Sequence, residues 1–146
     1  MKSLIPVIVS CMMLSSCGTT ALYYWGGTSN GVTKYEQLAY KSYNDQTPES
    51  ICKLIVVYED MVTHPKGTRN VPPPGICAEY GYLLLNPDTA EIFAKHATFS
   101  QRSIFDSSDY RQLFRQRGEE MMEKEMAFYP ESTTFIAPLI KRLTEQ

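Results

Sequence analysis

Ile76-Cys77-Ala78-Glu79-Tyr80-Gly81-Tyr82-Leu83-Leu84-Leu85 is the stretch whose periodicity decides the fold. At helical spacing Ile76, Tyr80, Leu83 and Leu84 share one face, and Cys77, Gly81, Leu84 and Leu85 share its neighbour. A helix apolar around more than half its circumference belongs at the centre of a bundle. Glycine costs about 1 kcal/mol against alanine inside a helix, so Gly81 predicts a second helix passing close to it.

Working outward, Val71-Pro72-Pro73-Pro74-Gly75 breaks the chain before this helix and Asn86-Pro87-Asp88 turns it afterwards. Thr47-Pro48-Glu49 has the composition of a helix start, and Ile51, Leu54, Ile55, Tyr58, Met61 and Val62 follow at helical spacing. His64-Pro65-Lys66-Gly67 ends that segment. Residues 33–43 form a shorter amphipathic helix around Tyr35, Leu38, Ala39 and Ser42. Residues 89–99 read as helical around Ile92, Phe93 and His96. Ser107, Ser108 and Asp109 cap a long helix to about Phe128, whose Glu119, Glu120, Glu123, Lys124 and Glu125 form a solvated side. Pro130-Glu131-Ser132 interrupts, and Phe135, Ile136, Leu139, Ile140 and Leu143 mark a last helix. No segment has convincing strand alternation. The expected fold is mostly α, a small bundle of antiparallel helix pairs over residues 33–146.

The N-terminus carries a different signal. Lys2 precedes an apolar run through Leu4, Ile5, Val7, Ile8 and Val9 to Met12, Met13 and Leu14, and Leu14-Ser15-Ser16-Cys17 closes it with small residues. A membrane-spanning helix needs about 20 mostly apolar residues, and this run is shorter and broken by Pro6 and Ser10. The tetrapeptide resembles a bacterial lipobox, which implies removal of residues 1–16 and a diacylglycerol with an N-acyl chain on Cys17. Several acyl chains hold a protein stably on a bilayer where a single chain does not. Gly18-Thr19 after the cysteine, with no Asp, resembles the sorting pattern for the periplasmic face of the outer membrane.

Loss of residues 1–16 removes Lys2 from the 14 basic residues and leaves 13 against 16 acidic ones, a formal charge of about −3. Such a chain has no basic face for nucleic acid. With 43% hydrophobic residues and ten tyrosines it has ample apolar surface for a core. Of the four cysteines, Cys11 leaves with the leader and Cys17 takes lipid, so Cys52 and Cys77 remain in an oxidising compartment. A disulfide between them is the expectation, with two buried free thiols as the other reading. The absence of a Cys-x-x-Cys motif argues against redox chemistry.

Residues 17–32 form a lipidated tether that also holds the aromatic cluster Tyr23-Tyr24-Trp25. Two roles stand for that cluster: a plug over the open end of the core, or a contact for the membrane interface or a partner.

Cys77, Tyr80-Gly81, Leu84 and Pro130 resemble the frame of a tetratricopeptide repeat, with about 25 residues too many between its two helices, 87–113. The whole mature chain also resembles a family of small bacterial lipoproteins with a domain of unknown function. The resemblance rests on Leu22-Tyr23-Tyr24-Trp25-Gly26, Pro73-Pro74-Gly75 followed by Ala78-Glu79 and Gly81, Glu123-Lys124-Glu125, and Tyr129-Pro130-Glu131-Ser132 before Phe135. Members of that family are typically encoded beside a lipoprotein similar to the curli secretion channel and beside a second small lipoprotein. The resemblance thus implies envelope proteins as partners. The insertion and the Cys52 and Cys77 pair depart from the family's usual pattern.

Catalytic patterns are sparse. His64 and His96 lie in no metal-ligand spacing, no Gly-x-Ser-x-Gly elbow occurs, and Gly26-Gly27 lacks the Lys-Ser/Thr of a phosphate loop. Glu79, inside the most apolar helix, is the one carboxylate that burial could perturb. The expectation is a non-catalytic, lipid-anchored adaptor without cofactors, whose partner contacts include Tyr23, Tyr24, Trp25, Glu79 and Gly81. The alternative is a small-ligand, peptidoglycan or lipid binder or hydrolase using a carboxylate, or an activator of cell-wall synthesis.

Overall fold

A computed structural model describes residues 20–145, so the leader and Cys17 lie outside the described residues. Among those described, seven α-helices follow a short two-stranded ribbon: α1 (Lys34–Asp45), α2 (Pro48–Thr63), α3 (Ile76–Leu85), α4 (Thr89–His96), α5 (Phe99–Arg102), α6 (Tyr110–Phe128) and α7 (Thr133–Thr144). They form a small all-α bundle. None of them is long and apolar enough to cross a membrane.

Local chemistry sets the boundaries. Thr47 caps α2 by accepting from the Ser50 amide, with Pro48 in the first turn. Thr33 and Glu36 close a capping box at α1, and Asp109 caps α6 through the Gln112 amide. Residues 89–99 are not one helix. α4 stops at His96, and Thr98 with Gln101 caps the separate short α5. The ribbon β1 (Thr28–Ser29) and β2 (Val32–Thr33) adds the strand pairing that alternation did not reveal, because each strand has only two residues. Its signal was the turn: Asn30 and Gly31 both have positive φ, as a two-residue Asn-Gly hairpin loop requires.

α3 is the central helix. Ile76, Cys77, Tyr80 and Leu84 are buried, and α2, α4, α6 and α7 all pack on it. A Cβ on Gly81 would stand 2.7 Å from the Gly118 carbonyl oxygen and 2.8 Å from Met122 Cγ. One on Gly118 would stand 2.7 Å from Leu85 Cγ. Two glycines facing each other thus let α3 and α6 touch backbone to backbone. The N-terminus of α3 has no side-chain cap of its own. Glu125 of α6 supplies one, its Oε1 accepting from the Gly75 N–H at 2.7 Å while the residue is only 3% exposed.

The insertion between α3 and α6 is ordered. Phe93 of α4 is fully buried, with ring centroids 5.2 Å from Phe105, Tyr110 and Phe114. α4 packs on α2 and α6 as well as α3, which gives a bundle in place of a regular stack of helix pairs.

The described part of the tether is held to the bundle: the Ala21 and Leu22 carbonyls accept from the Thr68 and Arg69 N–H groups at 3.1 and 3.2 Å. The disulfide expectation is corrected. Cys52 and Cys77 are both buried free thiols. The Cys52 sulfur faces the Ile92 carbonyl at 4.0 Å, whereas Cys77 feels the charge of Glu125 on α6. Burial pushes the Cys52 thiol up to about 11 and the Cys77 thiol up to about 12.

Gly81→Ala should lower stability by about 1–3 kcal/mol in urea unfolding, because overpacking against a backbone carbonyl outweighs the roughly 1 kcal/mol of helix propensity gained. An unchanged midpoint would rule out the close crossing. A thiol reagent added to the folded protein should leave Cys52 and Cys77 unmodified and then count both after denaturation; absence of both thiols after denaturation without reductant would restore the bridge.

Candidate functional site

Trp25 and Glu79, far apart in sequence, come together. The strap before α1 is clamped by the 67–69 turn, where Gly67 has φ +91 and a Cβ would stand 2.6 Å from the Leu22 carbonyl oxygen. Gly26, buried with φ +75, then turns the strap against Val57. The Lys34 N–H donates to the Gly27 carbonyl at 2.8 Å, joining the strap to the start of α1. The Trp25 ring is thereby set against Tyr35.

From there aromatic rings run inward: Trp25 to Tyr35 at 5.5 Å, Tyr35 to Tyr58 at 5.8 Å and Tyr58 to Tyr80 at 5.5 Å between centroids. Each tyrosine hydroxyl in the row donates to a carboxylate. Tyr35 and Tyr58 both donate to Glu79 Oε2, at 2.6 and 2.8 Å, and Tyr80 donates to Glu59 Oε2 at 2.7 Å. Arg117 of α6 holds Glu59 with two N–H groups and reaches Glu120 with a third at 2.8 Å. Burial, reinforced by the hydrogen bond to Glu79, pushes the Tyr35 phenol up to about 12. Burial and the same carboxylate raise Tyr58 further, and burial and Glu59 raise Tyr80 well above the ordinary range. Burial works against the charge of Arg117, and Glu120 and Glu59 more than restore it.

The outer end of this row opens into a recess of about 300 Å³ lined by Trp25, Tyr35, Glu36, Pro74, Ile76 and Glu79. A groove of about 280 Å³ beside Leu85, Pro87, Arg111 and Leu143 is a weaker candidate. Arg115 on its wall is already engaged with Glu119 and the Thr144 carbonyl.

Trp25 and Glu79 line the recess, but Glu79 is exposed at its rim and not buried in the core. The buried carboxylate of the bundle is Glu125, whose pKa is raised by burial against the opposing pull of the Gly75, Ala78 and Cys77 amides. Tyr24 turns elsewhere: its hydroxyl donates to Asp60 at 2.9 Å, and Lys66 lies 4.6 Å from its ring centroid. Tyr23 lies beside Tyr129, whose hydroxyl donates to the Pro72 carbonyl. Gly81 is buried under α6 and is corrected from a partner contact to an internal crossing point. Cys17 lies outside the described residues. Among the described residues no group of His, Cys, Asp and Glu is placed to hold a metal ion. Glu59 and Arg117 carry no local sequence signal, and Tyr35, Tyr58 and Tyr80 read only as apolar-face residues of separate helices. No family model, curated protein or solved structure matches this chain.

Because Tyr35 has a raised folded pKa, its contribution to stability is complete below pH 10 and is lost as pH climbs from 10 through about 12. Glu79→Gln should bring the Tyr35 pKa down toward 10, read by NMR of the isotope-labelled tyrosine ring carbon assigned with Tyr35→Phe. An unmoved Tyr35 titration would mean that Glu79 does not hold this phenol.

Proposed function

We propose that this protein is a lipid-anchored interaction module on the periplasmic face of the outer membrane, binding another envelope protein through the Trp25–Tyr35–Glu79 recess. The observation that carries the proposal is that the strap following the lipobox-like cysteine itself builds the recess wall. Trp25 is eight residues beyond Cys17, which limits the span between them to about 28 Å even for an extended chain. The contact is therefore made close to the bilayer, where another anchored protein is concentrated by its own attachment. The open recess has aromatic walls and a polar rim, a composition suited to recognising a side chain of a partner. The resemblance to lipoproteins encoded beside a curli-channel-like lipoprotein makes that protein, or the second small lipoprotein of the same group, the first partner to test.

A photoreactive amino acid at Pro74, on the recess wall, should give one discrete protein adduct in intact cells, while the same group at Lys95 on α4 should not. Cys17→Ala should release the folded protein from membranes and reduce the Pro74 adduct. No discrete adduct at Pro74, or equal adducts at both positions, would overturn the module.

A further inference from the structure

We propose that the recess receives the guanidinium of an arginine on the partner protein; this rests on the interaction module above and specifies what it recognises. The recess is acidic without being neutralised. Its charged lining groups are Glu36 of α1 and Glu79 of α3, and neither forms an ion pair among the described residues, although eight other pairs occur in the bundle.

Both carboxylates are fixed through a single oxygen. Glu36 Oε2 accepts from the Thr33 N–H at 3.0 Å and the Thr33 hydroxyl at 2.6 Å. Glu79 Oε2 accepts from Tyr35 and Tyr58. The Oε1 atoms accept no hydrogen bond among the described residues, so each carboxylate keeps one open acceptor. The same recess is walled by the Trp25 and Tyr35 rings, and the negative face of an aromatic ring attracts cations.

Two carboxylates and an aromatic wall select a cation, and the combination of acceptors with aromatic rings favours a planar one. A guanidinium stacks on an indole or phenol while its N–H fork reaches two acceptors, whereas an ammonium is a compact, strongly hydrated point charge. Pro74 and Ile76 give apolar wall for the methylene stem of the incoming arginine. An acidic or phosphorylated segment would meet like charge at both rims.

Trp25 is the single tryptophan of the chain, so its fluorescence reports on this recess alone. The full chain in a non-ionic detergent is titrated with a short blocked peptide bearing one arginine, and with the same peptide bearing citrulline or lysine. The arginine peptide should give a saturable change that weakens with salt. Citrulline should weaken binding about tenfold or more, as should Glu36→Gln combined with Glu79→Gln, about 1.4 kcal/mol per tenfold. The variant's urea midpoint confirms that it is folded, and Glu79→Gln alone gives the readout if the pair fails to fold. No saturable response to arginine, equal curves for arginine and citrulline, or equal affinity for lysine would overturn the guanidinium assignment. If arginine fails while the Pro74 crosslink still traps one partner, the ligand is wrong and the module stands; loss of both removes the module.

Discussion

The contact on which the rest of the fold depends is the crossing of α3 and α6 at Gly81 and Gly118. A Cβ at Gly81 would sit 2.7 Å from a backbone oxygen, which no side-chain rearrangement relieves. With Gly81 fixed against α6, the helical step of about 100° per residue fixes its neighbours. Tyr80 turns toward α2 and bonds Glu59, and Glu79 turns outward to meet Tyr35 and Tyr58. The outer recess thus inherits its geometry from an inner contact that has no polar chemistry.

Glu125 secures the same helix at its N-terminus, and the energetics are two-sided. Its bond to the Gly75 amide provides the cap that α3 otherwise lacks, and a negative charge near a helix N-terminus is favourable. Burial opposes this, and Oε2 has no hydrogen-bond partner. Burial wins, since the pKa is raised. The sign follows: between the ordinary carboxylate range and the raised value the folded state holds more protons than the unfolded one, so this group's contribution falls as pH rises through that window. The residue therefore contributes more to where α3 begins than to how stable the domain is at neutral pH, as buried charges often do.

Periodicity made the helices legible because each long one has an apolar face set by its own residues. Thr47-Pro48 and Asp109 marked starts by local chemistry alone, and Gly81 announced a close neighbour by being an unfavourable choice inside a helix. The partner glycine did not stand out, since Gly118 lies in a polar-looking run and meets Gly81 and Leu85 only in the folded bundle. Glu125 was hidden in the same way, inside a run of charges that reads as solvated surface. The site was half legible: Trp25 and Glu79 were singled out, yet the assembly of Tyr35, Tyr58 and Tyr80 depends on three helices meeting. Tyr24 and Tyr23, neighbours of Trp25, diverge to Asp60 and Tyr129, and the strap bends at Leu22 and Tyr23.

The strap's order along the chain has a mechanical consequence. Ala21 and Leu22 are clamped by Thr68 and Arg69 before the chain reaches Trp25, and Gly67 lies so close beneath Leu22 that a side chain there would force the strap away. A pull arriving from the N-terminal side meets this clamp first. Only after those two main-chain bonds open does force reach the Trp25–Tyr35 stack. The clamp is small, exposed and local, a class of contact that opens well below the global unfolding free energy. The Tyr35–Tyr58–Glu79 cluster lies behind it and is tied to α2 and α3. Loss of the Trp25 wall would therefore leave Glu79 bonded to Tyr35 and Tyr58, which separates the tryptophan wall of the recess from its carboxylate rim.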